Sequence, residues 1–330
     1  MESAGNISTG TRLSRYQSST TLLGDVGILF FVLSFLFLGY KLFTFQHYDS
    51  VVSQWKLMPV SQTWWLLGVL TLLPLNWSLE ALKWKMLTSG VQKLSMTDAV
   101  KAVLSGITTG FFTPNRIGEL VGRVTFLDAV NHKSGITLSV VNSLTQNIIM
   151  ALCGIPACFL FLSITKGKLQ PDTILFIMFL LMCILILGFL YLTLPHWTQR
   201  LKQSRFSKKI SSFTECLTAC KLKALFQILG VSFIRYIVFC TQFYFMLRFF
   251  GVELSPWHAL ISIPTTYLFV TFTPSLAFSE AAVRSSYAVL IIGAFTGQIV
   301  NIALAGICIW AVNFIIPMLG GSVVIARKST

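Results

Sequence analysis

The chain has 330 residues, of which 55% are hydrophobic and 11% are charged. Because soluble globular proteins are typically about a quarter charged, this composition excludes a soluble enzyme and a secreted disulfide scaffold. Apolar runs of about 20 residues recur along the chain and predict an all-α integral membrane protein that crosses the bilayer several times. The formal net charge of +14 is typical of basic cytoplasmic loops that fix topology, and we expect no nucleic acid as a partner.

Residues 1–21 are rich in Ser and Thr and predict a flexible cytoplasmic N-tail. The apolar run 22–45 is too long for the apolar part of a signal peptide, so it predicts a retained membrane helix. Later full-length membrane helices are predicted at 61–83, 135–165, 173–194, 223–250 and 298–325.

Two further apolar stretches, 97–127 and 256–294, are each interrupted near the middle by Thr-Pro. Each fits either one re-entrant helical hairpin or two short membrane helices, and the second alternative gives eight or more full spans. Thr is a good helix N-cap, and Pro suits the first helical position. The two interruptions therefore predict helices that begin at Pro114 and Pro274.

An internal repeat relates the two interrupted stretches. Residues 112–123 and 272–284 both begin with Phe-Thr-Pro, and both carry a Glu followed by an Arg four positions later. The repeat predicts two halves, 22–165 and 166–325, each with three transmembrane helices and one broken re-entrant hairpin. Three crossings per half invert the second half relative to the first, which is a recurrent transporter design.

The basic residues predict the orientation of the chain. With a cytoplasmic N-terminus and hairpins that return to the side they entered from, most Lys and Arg residues fall on the cytoplasmic side. They include a basic cytoplasmic loop over 195–222 and a cytoplasmic C-tail over 326–330. We therefore expect a multi-pass protein of the cell's inner (cytoplasmic) membrane.

The Thr-Pro breaks also predict a binding site. Helix N-termini inside a membrane need protein, water or an anionic ligand for their free N–H groups, and phosphate is a natural ligand. Ionisable side chains at this depth mark a substrate pathway, and Arg suits bidentate phosphate contacts. The predicted substrate-binding residues are Thr113, Pro114, Asn115, Arg116, Glu119, Arg123, Arg235, Thr273, Pro274, Ser275, Glu280 and Arg284.

Other interpretations of the charged residues stay open. Each Glu–Arg pair equally fits a salt bridge that pins two half-helices together. Glu80 lies close to Lys83 and Lys85 near a helix end, so we expect its side chain to reach the membrane interface. The four His and seven Cys have no metal-ligand spacing, and the chain has no Gly-rich phosphate loop, so no metal and no cofactor are expected.

The motifs resemble those of one protein family. Residues 113–120 are similar to the Thr-Pro-Gly-Arg-x-Gly-Glu motif of the lysylphosphatidylglycerol synthase transmembrane-domain family, also called flippase-like. Residues 80–87 resemble that family's Arg-Trp-containing helix end, and 274–284 resemble its Pro-to-Glu segment, although 276–278 here replace a common pair of glycines. The resemblance covers nearly the whole chain.

This resemblance implies a flippase that binds an anionic lipid headgroup. The lipid would be phosphate-bearing, such as a modified phospholipid, a glycolipid or a polyprenyl-type lipid, and would move between leaflets. In two-domain members of the family the synthase activity resides in a soluble C-terminal domain, whereas this chain ends after its last apolar run. We therefore expect a stand-alone member that transports lipid and is not an enzyme.

Two other functions stay open. One is a non-catalytic membrane subunit of a lipid or envelope-glycan biosynthesis assembly, in which the basic segment 200–223 would dock a lipid-biosynthesis enzyme. The other is an integral-membrane lipid-modifying transferase. Its candidate acid/base groups, Asp49, Glu253 and His258, are far apart in the sequence.

Overall fold

The computed structural model describes residues 62–113, 116–202, 211–218, 220–275 and 277–329. The described residues are predominantly helical and include no β-strand. The predicted N-tail and the first predicted membrane helix, over 22–45, lie outside them, as do Pro114 and Asn115.

The long helices lie where the sequence predicts them. In chain order the helices are α1 (Thr63–Thr88), α2 (Met96–Phe111), α3 (Gly118–Val124), α4 (His132–Lys166), α5 (Pro171–Leu192), α6 (Leu194–Lys202), α7 (Ser211–Thr218), α8 (Leu222–Phe249), α9 (Pro256–Phe272), α10 (Ala277–Ile292) and α11 (Ile299–Ser329). Five of the described helices, α1, α4, α5, α8 and α11, are long and apolar enough to cross a membrane. They coincide with the five apolar runs predicted from residue 61 onwards, which confirms the all-α membrane architecture.

Both interrupted stretches fold into helical hairpins. Hairpin 1 (residues 96–124) consists of α2 and α3, and hairpin 2 (residues 256–292) consists of α9 and α10. The prediction that a helix begins at Pro274 is wrong, because Pro274 and Ser275 are not helical and α10 begins at Ala277. The prediction of a helix start at Pro114 falls outside the described residues. Pro274 lies in the turn of hairpin 2.

The two threonines before the prolines make hydrogen bonds within their hairpins. The Thr113 hydroxyl accepts a hydrogen bond from the Gly118 N–H at 2.8 Å, so it satisfies the first N–H group of α3. The Thr273 hydroxyl instead bonds the Tyr287 hydroxyl at 2.9 Å, which ties the turn to the middle of α10. Both threonines therefore stabilise hairpin tips.

Close packing holds the two helices of hairpin 1 together. The Thr109 hydroxyl of α2 donates to the Gly118 carbonyl of α3 at 2.7 Å. A Cβ on Gly122 would lie 2.1 Å from the Thr109 hydroxyl oxygen and 2.6 Å from the Ser105 carbonyl oxygen, so this approach requires glycine. These contacts run in opposite directions along the two helices, which are therefore antiparallel.

The two hairpins open at opposite ends of α4. Hairpin 1 is followed by the start of α4, where the His132 ring contacts the Leu127 carbonyl at 3.1 Å. Hairpin 2 ends near the other end of α4, where the Phe295 ring packs edge-on against Phe161 with 5.8 Å between centroids.

Each hairpin packs on a long helix of the other predicted half. The Thr108 hydroxyl of α2 donates to the Met318 carbonyl of α11 at 2.9 Å. Leu268 of α9 lies against Gly154 of α4, where an added Cβ would come within 2.7 Å of the Leu268 side chain. The two predicted halves are thus interlocked through their hairpins.

Two large apolar clusters form most of the core of the described residues, and a smaller one surrounds Phe111 and Trp310. One lies mainly on α8, α9 and α11 and contains Phe243 and Ile309. The other lies mainly on α1, α2 and α4 and contains Trp84 and Leu138. These clusters hold the hairpins in place around a set of buried charges.

Substitutions at two neighbouring glycines of α11 test how closely α2 packs on α11. A Cβ on Gly321 would lie 2.1 Å from the Leu104 carbonyl oxygen, whereas the nearest atom to a Cβ on Gly320 is the Leu104 side chain at 4.0 Å. We expect Gly321→Ala to cost about 1–3 kcal/mol through overpacking. Gly320→Ala should be neutral or gain about 0.5–1 kcal/mol, as for Gly→Ala elsewhere in helices. Thermal unfolding in detergent measures both, and equal midpoints would contradict the packing described.

Candidate functional site

Two groups of largely buried ion pairs, together called the network, lie at the two hairpins. One joins hairpin 1 to α1 and α8 through Glu80, and the other joins hairpin 1 to hairpin 2 through Arg116 and Glu280. Among the described residues, the ion pairs of the network connect five cations with three carboxylates, so the network carries two more positive than negative charges. Its members are Glu80, Lys83, Arg116, Glu119, Arg123, Arg235, Glu280 and Arg284. Six of the predicted substrate-binding residues are therefore brought together, and Glu80 and Lys83 join them.

Glu80 of α1 is the centre of the network. Its carboxylate lies 3.2 Å from Lys83, 2.6 Å from Arg123 and 2.9 Å from Arg235. The Asn142 amide of α4 donates to the same carboxylate at 2.6 Å. The side chain is 4% exposed, so the prediction that Glu80 reaches the membrane interface is wrong. Three cations compensate for its burial, which makes an interior position favourable.

Amide side chains extend the network across the bundle. Arg235 of α8 donates to the side-chain amide oxygen of Asn76 at 2.8 Å and to the side-chain amide oxygen of Gln146 at 3.3 Å. The Asn76 amide in turn donates to Asn313 of α11 at 3.0 Å. Sequence reasoning missed these amides and Asn142, although each interrupts an apolar run and could have been found by that signal.

Arg123 links hairpin 1 to the centre. Its guanidinium pairs with Glu119 one turn earlier in α3 as well as with Glu80. The Arg123 side chain is 3% exposed, whereas Glu119 is 21% exposed. Arg123 is therefore a buried contact between hairpin 1 and α1, whereas the Glu119 side chain is partly exposed.

The two hairpins meet in an ion pair between Arg116 and Glu280. Arg116 follows the turn of hairpin 1, and Glu280 lies in the first turn of α10. Glu280 also accepts a hydrogen bond from Arg284 at 2.9 Å, four residues later on the same helix. One carboxylate thus binds cations from both hairpins.

Arg116 differs from the other cations of the network in its backbone and exposure. Its φ is 57°, which places a non-glycine residue in the left-handed region. Such strain persists only where the surroundings enforce it, and it clusters at functional sites. The side chain is 32% exposed, compared with 8% for Arg284. Arg116 is therefore the cation of the described network that a ligand reaches most easily.

A partly open pocket lies against Arg116. Its volume is about 10 Å³, room for about one water molecule, and its lining residues are Ile107, Phe111, Arg116, Glu119 and Phe314. The pocket combines an apolar lining with one cation and one carboxylate. It is therefore a shallow cleft that exposes Arg116 and does not enclose a headgroup.

The remaining predicted residues lie outside the ion pairs described. Thr113 and Thr273 stabilise the hairpin tips, and Pro274 and Ser275 lie in the turn of hairpin 2. Pro114 and Asn115 lie outside the described residues. The described part of the chain also contains no group of His, Cys, Asp and Glu that could hold a metal ion.

Comparison with known proteins identifies one family. The family model described as lysylphosphatidylglycerol synthase TM region matches residues 25–321. No curated protein and no solved structure matches the chain.

Replacement of the central carboxylate tests the charge balance. Glu80→Gln leaves Lys83 and Arg235 without their carboxylate partner, and we expect a loss of about 3–5 kcal/mol in the free energy of unfolding. Glu119→Gln should cost about 1–2 kcal/mol, because Arg123 keeps Glu80. Thermal or chemical unfolding of the purified variants measures the difference. A larger loss in Glu119→Gln than in Glu80→Gln would refute Glu80 as the centre.

Proposed function

The chain belongs to the family of the lysylphosphatidylglycerol synthase TM region, and we propose that it is a flippase that moves a phosphate-bearing lipid between the leaflets of the inner (cytoplasmic) membrane. Membership makes it a multi-pass membrane protein involved in lipid handling or transport. The observation that carries the finer proposal is the excess positive charge of the buried network, together with the exposure of Arg116 at a pocket. An arginine in this setting suits bidentate phosphate binding.

The arrangement of the hairpins supports an inverted repeat. Hairpin 1 and hairpin 2 enter from opposite ends of α4, and each packs on a long helix of the other half. In a bilayer, two re-entrant hairpins placed this way bring their tips towards the midplane from opposite sides. The proposed site then lies between the tips, where a headgroup can be reached from either leaflet.

Basic residues support a cytoplasmic location for one end of the bundle. The end of α1 and the start of α4 lie at the same end of the bundle, because Gln92 accepts a hydrogen bond from Asn131 at 3.1 Å. Lys85, Lys93 and Lys133 belong to this end. Since cytoplasmic loops carry the excess of Lys and Arg, we assign this end to the cytoplasm.

The proposed transport step is an exchange of partners at Arg116. The lipid phosphate would replace the Glu280 carboxylate as the partner of the Arg116 guanidinium, while Glu280 keeps Arg284. Glu119, on the pocket wall, would face a cationic part of the headgroup. The acyl chains would remain in the bilayer throughout.

We propose that the site transports without catalysis. A general base needs a carboxylate or imidazole that is free to take a proton. The carboxylates of Glu80, Glu119 and Glu280 are each bound by at least one guanidinium or ammonium group, so their oxygens are already engaged. This pairing suits electrostatic binding better than proton transfer.

Lipid retention and transport test the proposed function. Purified protein should retain a phosphate-bearing lipid such as phosphatidylglycerol in native mass spectrometry, and vesicles containing it should scramble fluorescent phosphatidylglycerol. We expect Arg116→Gln to lower both by about tenfold, because it removes a charge-assisted contact worth about 1.5–3 kcal/mol. Arg200→Gln, a change at an exposed arginine outside the network, is the control.

The outcomes separate the candidate functions. Wild-type scrambling and lipid retention that Arg116→Gln leaves unchanged would refute Arg116 as the binding residue. Retention of bulk lipid alone, with scrambling no faster than in protein-free vesicles, would refute the flippase. Co-purification of a stoichiometric partner in that case would favour the membrane-subunit hypothesis. A chemically altered lipid recovered from vesicles with the wild type would favour the transferase.

Glu280→Gln tests partner exchange. The substitution removes the carboxylate that competes with phosphate for Arg116, so phosphatidylglycerol should be retained about tenfold more tightly. Scrambling should become slower, because the bound lipid leaves less readily. Glu253→Gln removes an exposed carboxylate outside the described network and should change neither value. Weaker retention in Glu280→Gln would mean that Glu280 positions Arg116 for the lipid and does not compete with it.

A further inference from the structure

Phe314 of α11 lies where the two hairpins meet. Its ring centroid is 3.8 Å from Cζ of Arg116 in hairpin 1 and 5.9 Å from Cζ of Arg284 in hairpin 2. The same ring lines the pocket beside Arg116. One aromatic side chain thus contacts the arginines of both sequence motifs.

Two side chains hold the Arg116 guanidinium at different places. Glu280 accepts from its Nη2 at the edge, and the Phe314 ring lies against the group at 3.8 Å. A guanidinium is planar, so its N–H donors point outward in the plane while its face stacks on aromatic rings. An incoming phosphate needs the N–H edge. A phosphate that binds at Nη2 competes with Glu280 and leaves the contact with Phe314 intact.

We propose that Phe314 is a positioning residue for the anionic headgroup. Its ring holds the Arg116 guanidinium at the pocket while the N–H edge passes from the Glu280 carboxylate to the lipid phosphate. This inference rests on the proposed function and adds to it a residue that neither sequence motif contains.

The backbone of Arg116 explains why such a holder is needed. Arg116 follows the tip of hairpin 1 in a left-handed conformation, with φ of 57°. Its side chain is 32% exposed and long, so it loses much rotamer freedom when it is fixed. When Glu280 releases the guanidinium, Phe314 is the ring contact of Arg116 that remains in place.

A positioning role and a packing role make different demands on residue 314. Phe314 also belongs to an apolar cluster with Phe111 and Trp310, and a leucine would satisfy that packing in large part. Leucine has no π face for a cation, whereas tyrosine keeps one. Phe314→Leu and Phe314→Tyr therefore separate the two roles.

The experiment titrates the full-length variants with phosphatidylglycerol in native mass spectrometry, with neutral diacylglycerol as the reference lipid. Phe314→Leu should weaken phosphatidylglycerol binding about fivefold, and Phe314→Tyr should stay within about twofold of the wild type. Trp197→Leu, which removes the ring 5.9 Å from Arg200 outside the network, is the control and should bind as the wild type does. Thermal midpoints check folding, and Phe314→Met replaces the leucine variant if that variant is unstable.

The outcomes distinguish this inference from the proposed function. If Phe314→Leu binds phosphatidylglycerol as tightly as the wild type does, the positioning role is overturned and the proposed function stays in place. Equal losses in the leucine and tyrosine variants overturn it in favour of packing. A wild type that retains phosphatidylglycerol no better than diacylglycerol overturns the proposed function and the positioning role together.

Discussion

The fold depends on neutralising charges that are buried in an apolar interior. An isolated ion costs several kcal/mol in such surroundings, so each buried carboxylate must be surrounded by cations. Glu80 meets this requirement with Lys83, Arg123 and Arg235, which come from α1, α3 and α8. These contacts fix where hairpin 1 lies against the long helices. The charges therefore constrain the architecture as strongly as the apolar clusters do.

The ion pairs around Glu80 are buried, whereas the ion pair between Arg116 and Glu280 is accessible to a ligand. The Glu80 side chain is 4% exposed and has three cationic partners, so removing one contact leaves the others in place. Arg116 is far more accessible and relies on Glu280 from the opposite hairpin. In the proposed exchange, a ligand replaces Glu280 at Arg116 and leaves the ion pairs of Glu80 intact. Stability and binding then depend on different groups of ion pairs.

The sequence predicts the long helices because an apolar run of membrane length can be recognised from consecutive residues alone, without knowledge of tertiary contacts. It also locates both hairpins, since Thr-Pro interrupts each run. It fails at Glu80, because the cations that justify burial are Arg123 and Arg235, which are distant in sequence and meet only after folding. Phe314 is one of 28 phenylalanines, and nothing in its neighbours distinguishes it before Arg116 is placed on its ring.

The repeat is symmetric in its helices and asymmetric in its charges. Arg116 aligns with Leu276, so hairpin 2 has no second copy of this arginine. The proposed lipid headgroup therefore meets one exchange site between the hairpins. A transport site must bind well enough to admit its ligand and weakly enough to release it. In the proposed flippase, Glu280 supplies the second property, because its carboxylate competes with the lipid phosphate for Nη2 of Arg116. The opposite hairpin would then carry the group that releases the lipid from Arg116.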